Sequence, residues 1–228
     1  MVEDTSKNIL LLHERAFGGM VHTQGWGIRY GQGYHVTAFK RRAWLVEMTE
    51  MQSLRQTRTI NPYFTNSKSY IYGKLNALYN FRFNYGYYKQ LNRKPYWGGV
   101  EVRWFYSGGL SLILAKPIYL FILEPTAGLN EYTIVEEKYD PDKHFWDNIY
   151  GRAPFTRGLN EIKPYPGIHI KTGLEFEYAS YRNKTKTLEA GGALDLFPIP
   201  VPLMAKNDPH YYFATLYVAF TFGSRYNK

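Results

Sequence analysis

The 228-residue chain has no cysteine, which excludes disulfides, thiolate metal centres and cysteine nucleophiles together. It also lacks a long apolar run. The longest charge-free apolar stretch, 117–123, falls far short of the roughly 18 residues that a membrane-spanning helix needs. No Gly-x-Ser-x-Gly occurs, and no His-Ser pair has the spacing of a small lipid-A hydrolase motif. Acidic residues are few, with 19 Asp and Glu against 28 Lys and Arg, so the net charge is +9. Residues Val2 to Lys7 are polar and acidic, without the basic start and apolar core of a secretory leader. If the chain enters a membrane, Met1 is then expected to be an added start on a mature protein.

Aromatic residues, by contrast, are abundant: 22 Tyr, 14 Phe and 5 Trp, or 18% of the chain. Their arrangement has a period of two. From Val100 the even positions run Val100, Val102, Trp104, Tyr106, Gly108, Leu110, Leu112 and Leu114, and between them stand Glu101, Arg103, Phe105, Ser107, Gly109, Ser111 and Ile113. Successive side chains of a strand point to opposite faces, so one face here is apolar and the other small or charged. A transmembrane β-strand needs about 9–11 alternating residues, and this pattern exceeds that. Alternation also hides hydrophobicity from any average, so a mean hydropathy of −0.42 is compatible with a membrane barrel. Tyr and Trp suit the wet-to-apolar boundary at the two rims of such a barrel.

The same pattern recurs over 15–31, 35–51, 74–88, 168–178, 188–196 and 212–222. Long connections (52–69, 123–166, 198–209) alternate with short ones (31–35, 89–96, 182–185), as in barrels with long extracellular loops and short periplasmic turns. That makes seven strands from Arg15 onward, and bacterial single-chain barrels have an even number. The eighth comes either from a hinge at Thr23-Gln24-Gly25 that splits 15–31, or from the apolar patch Ile9 to His13. The expected fold is one all-β domain over 1–228, a closed antiparallel eight-stranded transmembrane barrel with a periplasmic C-terminus.

Such a barrel is just wide enough to be filled by side chains. The inward set Lys74, Arg82, Glu101, Arg103, Lys171, Glu175, Glu177, Glu189 and Asp195 therefore predicts a buried network of ion pairs and not an aqueous pore. The longest connection, 124–166, carries Asp140, Asp142, His144 and Asp147, which could converge on a Ca²⁺-like cation, although an Asp-Pro turn explains the same residues without a metal. Trp146, Tyr150 and Arg152 in that connection are residue types that dominate protein interfaces. The excess of basic residues suits anionic lipid headgroups or lipopolysaccharide, and the alternating aromatics do not form an RNA-binding signature.

The C-terminal Phe220-Thr221-Phe222, followed by Gly223-Ser224-Arg225-Tyr226, resembles the signal by which outer-membrane barrels are recognised for assembly, with a short tail added. The segments Ser69 to Asn76, Gly109-Leu110-Ser111-Leu112 with Lys116-Pro117, Glu137 to Pro141 and Ile149 to Phe155 resemble a family of small outer-membrane barrels from Bacteroidota, over nearly the whole chain. The resemblance implies a membrane subunit of a protein assembly or secretion machine, with no catalytic motif and no cofactor, and with other outer-membrane proteins or surface lipoproteins as partners. A barrel enzyme acting on lipid A or phospholipid, with a triad assembled from distant strands, and a small channel are the alternatives.

Overall fold

The computed structural model describes residues 13–37, 39–54, 56–64, 66–92, 99–126, 132–178, 183–205 and 207–227. The strands in chain order begin with β1 (His13–His22), β2 (Gly25–Thr37), β3 (Lys40–Met51), β4 (Arg58–Thr59), β5 (Tyr70–Ile71) and β6 (Asn76–Gln90). They continue with β7 (Glu101–Pro117), β8 (Tyr119–Pro125), β9 (Tyr132–Lys138), β10 (Ile149–Arg152), β11 (Lys163–Glu177), β12 (Lys184–Val201) and β13 (His210–Tyr226). Eight of these close an antiparallel barrel in the order β1-β13-β12-β11-β7-β6-β3-β2. The seam is β1 on β13, in register from His13 opposite Tyr226 to His22 opposite Tyr217. Closure leaves no edge strand, which is what a sheet in lipid requires.

The first strand of the barrel comes from the hinge at Thr23-Gln24, so 15–31 is indeed two strands. Of the alternative patch Ile9 to His13, only His13 is described, as the first residue of β1, and 9–12 lie outside the described residues. Other boundaries differ from the expected ones, for identifiable reasons. No turn interrupts 31–35, since β2 continues to Thr37 and β3 starts at Lys40; Gly31 is instead an inward position in a crowded wall, where a Cβ would come within 2.7 Å of the Leu45 side chain. Pro164 and Pro166 do not delay β11, which starts at Lys163, since this first part pairs with β7 alone and a missing N–H is tolerated on its open side. Similarly, β12 runs past Pro198 and Pro200 to Val201, beyond its pairing with β11. The connection expected to lack strands over 124–166 contains β9 and β10, and the alternation through Leu120 and Ile122 belongs to a separate strand, β8, with Ile118 just before it.

The faces follow the alternation. Leu110, Leu112, Ile168, Ile170, Leu216 and Val218 are exposed on the outer wall, between Tyr85, Tyr87, Trp104 and Tyr106 towards one end and Trp26 and Tyr212 towards the other. Inside, the side chains stack in levels. At the short-turn end, Arg41 bridges Glu14 (2.6 Å) and Glu175 (2.7 Å), Arg103 bridges Glu175 and Glu177 (both 2.8 Å), and Arg225 closes the ring onto Glu14 and Glu177. Midway, Arg29 holds Glu189 at 2.9 Å while Lys171 joins Glu47 (2.6 Å) to Glu189 (3.0 Å). Above them Arg82 grips Asp195 with two hydrogen bonds of 3.1 and 2.6 Å. An apolar plug including Met51, Leu78, Ile113, Phe197, Val201 and Phe213 then seals the long-loop end. Lys74 corrects the expected network: it precedes β6 and lines a cleft at the rim with the outward-facing Glu50 and Tyr79.

Leu110 sits near the middle of β7 and is 66% exposed on the outer wall. Leu110→Arg is expected to cost about 2–4 kcal/mol in a bilayer refolding titration, the range for a cation at the midplane. A loss below about 0.5 kcal/mol would contradict a lipid-facing position.

Candidate functional site

Two places bring chemically capable side chains together, the lumen and the long-loop end. In the lumen, the three neighbouring strands β7, β11 and β12 supply Ser111, His169 and Asp195. His169 Nδ1 lies 2.9 Å from Asp195 Oδ1, the orientation that fixes an imidazole in a triad. Ser111 Oγ, however, lies 2.9 Å from that same aspartate oxygen, and among the described residues His169 Nε2 has no hydrogen-bond partner. The serine is therefore not on the nitrogen that would take its proton. Asp195 is also committed to Arg82, and His169, Asp195 and Arg82 are all buried beneath the apolar plug. The geometry is that of a charge-neutralising cluster.

The long-loop end is a second, smaller structure. Strands β10-β8-β9 form a three-stranded sheet and β4-β5 a short ribbon. Tyr70, Leu120, Ile122, Tyr139 and Ile149 pack between them, with Leu75, Ile118 and Ala205 against that cluster, so all three long connections share one core. Burial pushes the Tyr70 and Tyr139 phenols above their ordinary pKa. The buried Asn61 donates to the carbonyl of Ile149 at 2.7 Å and accepts from the backbone N–H of Tyr63 at 3.0 Å, tying 56–64 to β10. Gly151 is where the two segments cross: a Cβ there would stand 2.8 Å from the carbonyl oxygen of Lys68. At the edge, Tyr119 donates to Glu161, which also accepts from Lys138 at 2.8 Å; the lysine bond, then the tyrosine bond, lowers the Glu161 pKa.

The four candidate metal ligands build a turn. Asp140 Oδ1 accepts from the N–H of Asp142 at 3.0 Å, and Asp147 Oδ1 from the N–H of Asn148 at 3.0 Å. His144 is buried, its Nδ1 accepting from the Asp140 N–H at 3.0 Å and its Nε2 3.1 Å from Glu137 Oε2. Both ring nitrogens are thus engaged within the loop. Among the described residues no three His, Asp or Glu side chains converge as metal ligands would. Glu137 was not among the expected residues, and no local spacing marks it, because its partner is set by the pairing of β8 with β9.

The three interface candidates separate by environment. Trp146 is 58% exposed and stacks on the 71%-exposed Tyr63, with ring centroids 6.5 Å apart and Phe145 exposed beside it in sequence. Tyr150 is half-buried, edge-on to Phe64 at 5.2 Å, and so holds the loops together. Arg152 is exposed and lines the rim cleft. Tyr63 was missed in sequence because the stretch around it reads only as a proline-containing loop.

Asp195→Asn removes the only carboxylate that Arg82 touches among the described residues. It is expected to cost about 3–5 kcal/mol, the penalty for stranding a buried charge, against about 0.5–1.5 kcal/mol for Ser111→Ala, which deletes a single hydrogen bond. Urea unfolding in lipid vesicles measures both, and equal small losses would contradict the charge-neutralising role.

No protein family matches the chain, and no curated protein matches it. Among solved structures it is similar to Neisserial surface protein A (NspA), with a TM-score of 0.44 and 10% identity over 95% of this chain and 98% of that one. It is also similar to Ail, the attachment invasion locus protein of Yersinia pestis, with a TM-score of 0.44 and 7% identity over 95% of this chain and 100% of the other.

Proposed function

We propose that the chain is an integral outer-membrane barrel without enzymatic activity, acting as the membrane-embedded subunit of a larger complex. The observation that carries this reading is the Tyr63–Trp146 stack, two large aromatic rings exposed on an ordered loop structure. Exposed aromatics on a rigid support are what an interface anchor requires, since little side-chain freedom is lost on binding. The filled lumen supports the same reading, because among the described residues its charged side chains are paired beneath an apolar plug. The closed barrel with its apolar outer wall supports outer-membrane residence, and the long connections opposite the C-terminus support an extracellular loop end. The resemblance to Bacteroidota barrels favours a protein assembly or secretion machine as the complex.

Tyr63→Ala/Trp146→Ala is expected to leave the barrel folded, judged by heat-modifiable mobility, while weakening partner binding about 30-fold or more, the weight of one hot-spot residue at about 2 kcal/mol. Pull-down from native membranes with mass spectrometry reads the outcome. Partners recovered at the parental level would refute docking at this surface.

A further inference from the structure

Seven Lys and Arg side chains are buried among the described residues: Arg29, Arg41, Lys74, Arg82, Arg103, Lys116 and Lys171. Five have a carboxylate oxygen within 3.0 Å. Lys74 and Lys116 have none in salt-bridge reach, and both line the same cleft of about 190 Å³ at the long-loop rim. The Lys74 ammonium meets only Gln56 Oε1, at 3.4 Å. That of Lys116 meets the Pro117 carbonyl at 3.5 Å and the face of Phe155 at 4.8 Å. An ammonium carries three donors, so each has capacity left over in a place where water is restricted. Burial lowers the Lys74 pKa, a shift that Glu50 opposes and Arg58 adds to.

The rest of the lining fixes the kind of counterion. Arg58 and Arg152 add two more cations, against the single carboxylate of Glu50, which accepts from Trp26 Nε1 and Gln52 Nε2, each at 3.0 Å. The lining is thus strongly positive. Ala77, Tyr79 and Lys116 occupy outward positions of β6 and β7, in line with Phe81, Leu114 and Leu112 of the apolar wall. An anion seated here has its charge at the rim and any attached chain along the lipid-facing surface. With about 30 Å³ per liquid water, the cleft holds a phosphoryl group and several waters.

We propose that this cleft binds the phosphate of an anionic membrane lipid, a phosphomonoester-bearing glycolipid of the leaflet at the long-loop end, with Lys74 and Lys116 as its buried ligands and its acyl chains on the outer wall. Four cations against one carboxylate suit a dianionic monoester better than a singly charged diester. This reading is independent of whether the loops dock a protein.

The test is native mass spectrometry of the folded protein in detergent, titrated separately with diphosphoryl lipid A, phosphatidylglycerol, phosphatidylethanolamine and inorganic phosphate. One lipid A per chain is expected, held more tightly than either glycerophospholipid. Lys74→Gln/Lys116→Gln should weaken it at least about tenfold per lysine, the weight of a charge-assisted hydrogen bond. Lys138→Gln/Lys143→Gln, the same charge change on exposed lysines of the same end, should leave it unchanged. Because the first variant removes unpaired buried charges, it should fold as well as the parent in lipid-free detergent; Lys116→Gln alone gives the comparison if the pair does not assemble. Lipid A binding unaffected by these substitutions, equal binding of phosphatidylethanolamine, or inorganic phosphate binding as tightly as the lipid would each overturn the proposal.

Discussion

A charge enclosed by eight strands must touch a countercharge, because the barrel is too narrow to hydrate it and the surrounding lipid too apolar to screen it. That requirement arranges the interior. Arg41 and Arg103 share Glu175, Arg29 and Lys171 share Glu189, and Arg82 takes Asp195, each group joining strands far apart in sequence. A one-residue slip of any strand would send its carboxylate or guanidinium into lipid and bring an apolar side chain inside, so the ion pairs help to fix register. The lumen ions nearly balance one another, so the chain's net charge of +9 does not arise from them.

The surface that remains open to partners and ligands is at the long-loop end. The apolar plug closes the lumen at the end where the long connections emerge, and those connections are bound to one another by a core of their own around Tyr70, Leu120 and Ile149. This second structure holds Tyr63 and Trp146 exposed on one part and frames the basic rim cleft on another. Lys116 has the outward parity of Leu112 and Leu114, yet it is buried, because Phe155 folds down over it. The rim is thus the one place among the described residues where buried cations lack carboxylates.

Much of the barrel was legible because the pattern that makes a strand transmembrane is carried in its own residues. Leu110 outward and Ser111 inward follow from alternation alone, as do the inward Arg82, Glu175 and Asp195. Pairing was not legible, since which carboxylate meets Arg82 depends on closure of the ring. Glycine and proline misled for one reason: both usually punctuate a chain, but Gly31 here relieves crowding inside a strand, and Pro164 lies where β11 has a single neighbour. The loops were the least legible. Asp140, Asp142, His144 and Asp147 look like ligands in a linear sequence, whereas in the fold Asp140 and Asp147 accept turn hydrogen bonds, Asp142 donates its backbone N–H to Asp140, and His144 is held by the Asp140 N–H and Glu137. The contact of Trp146 with Tyr63 joins two connections that no local pattern relates.

Single-channel recording in planar bilayers tests the filled lumen most directly. Three levels of paired charge below an apolar plug predict no steady conductance at moderate voltage in the purified, folded protein. Large, stable, ohmic openings from the same preparation would show that water crosses the barrel, and would contradict both the ion-pair ladder and the assignment of function to the loop end.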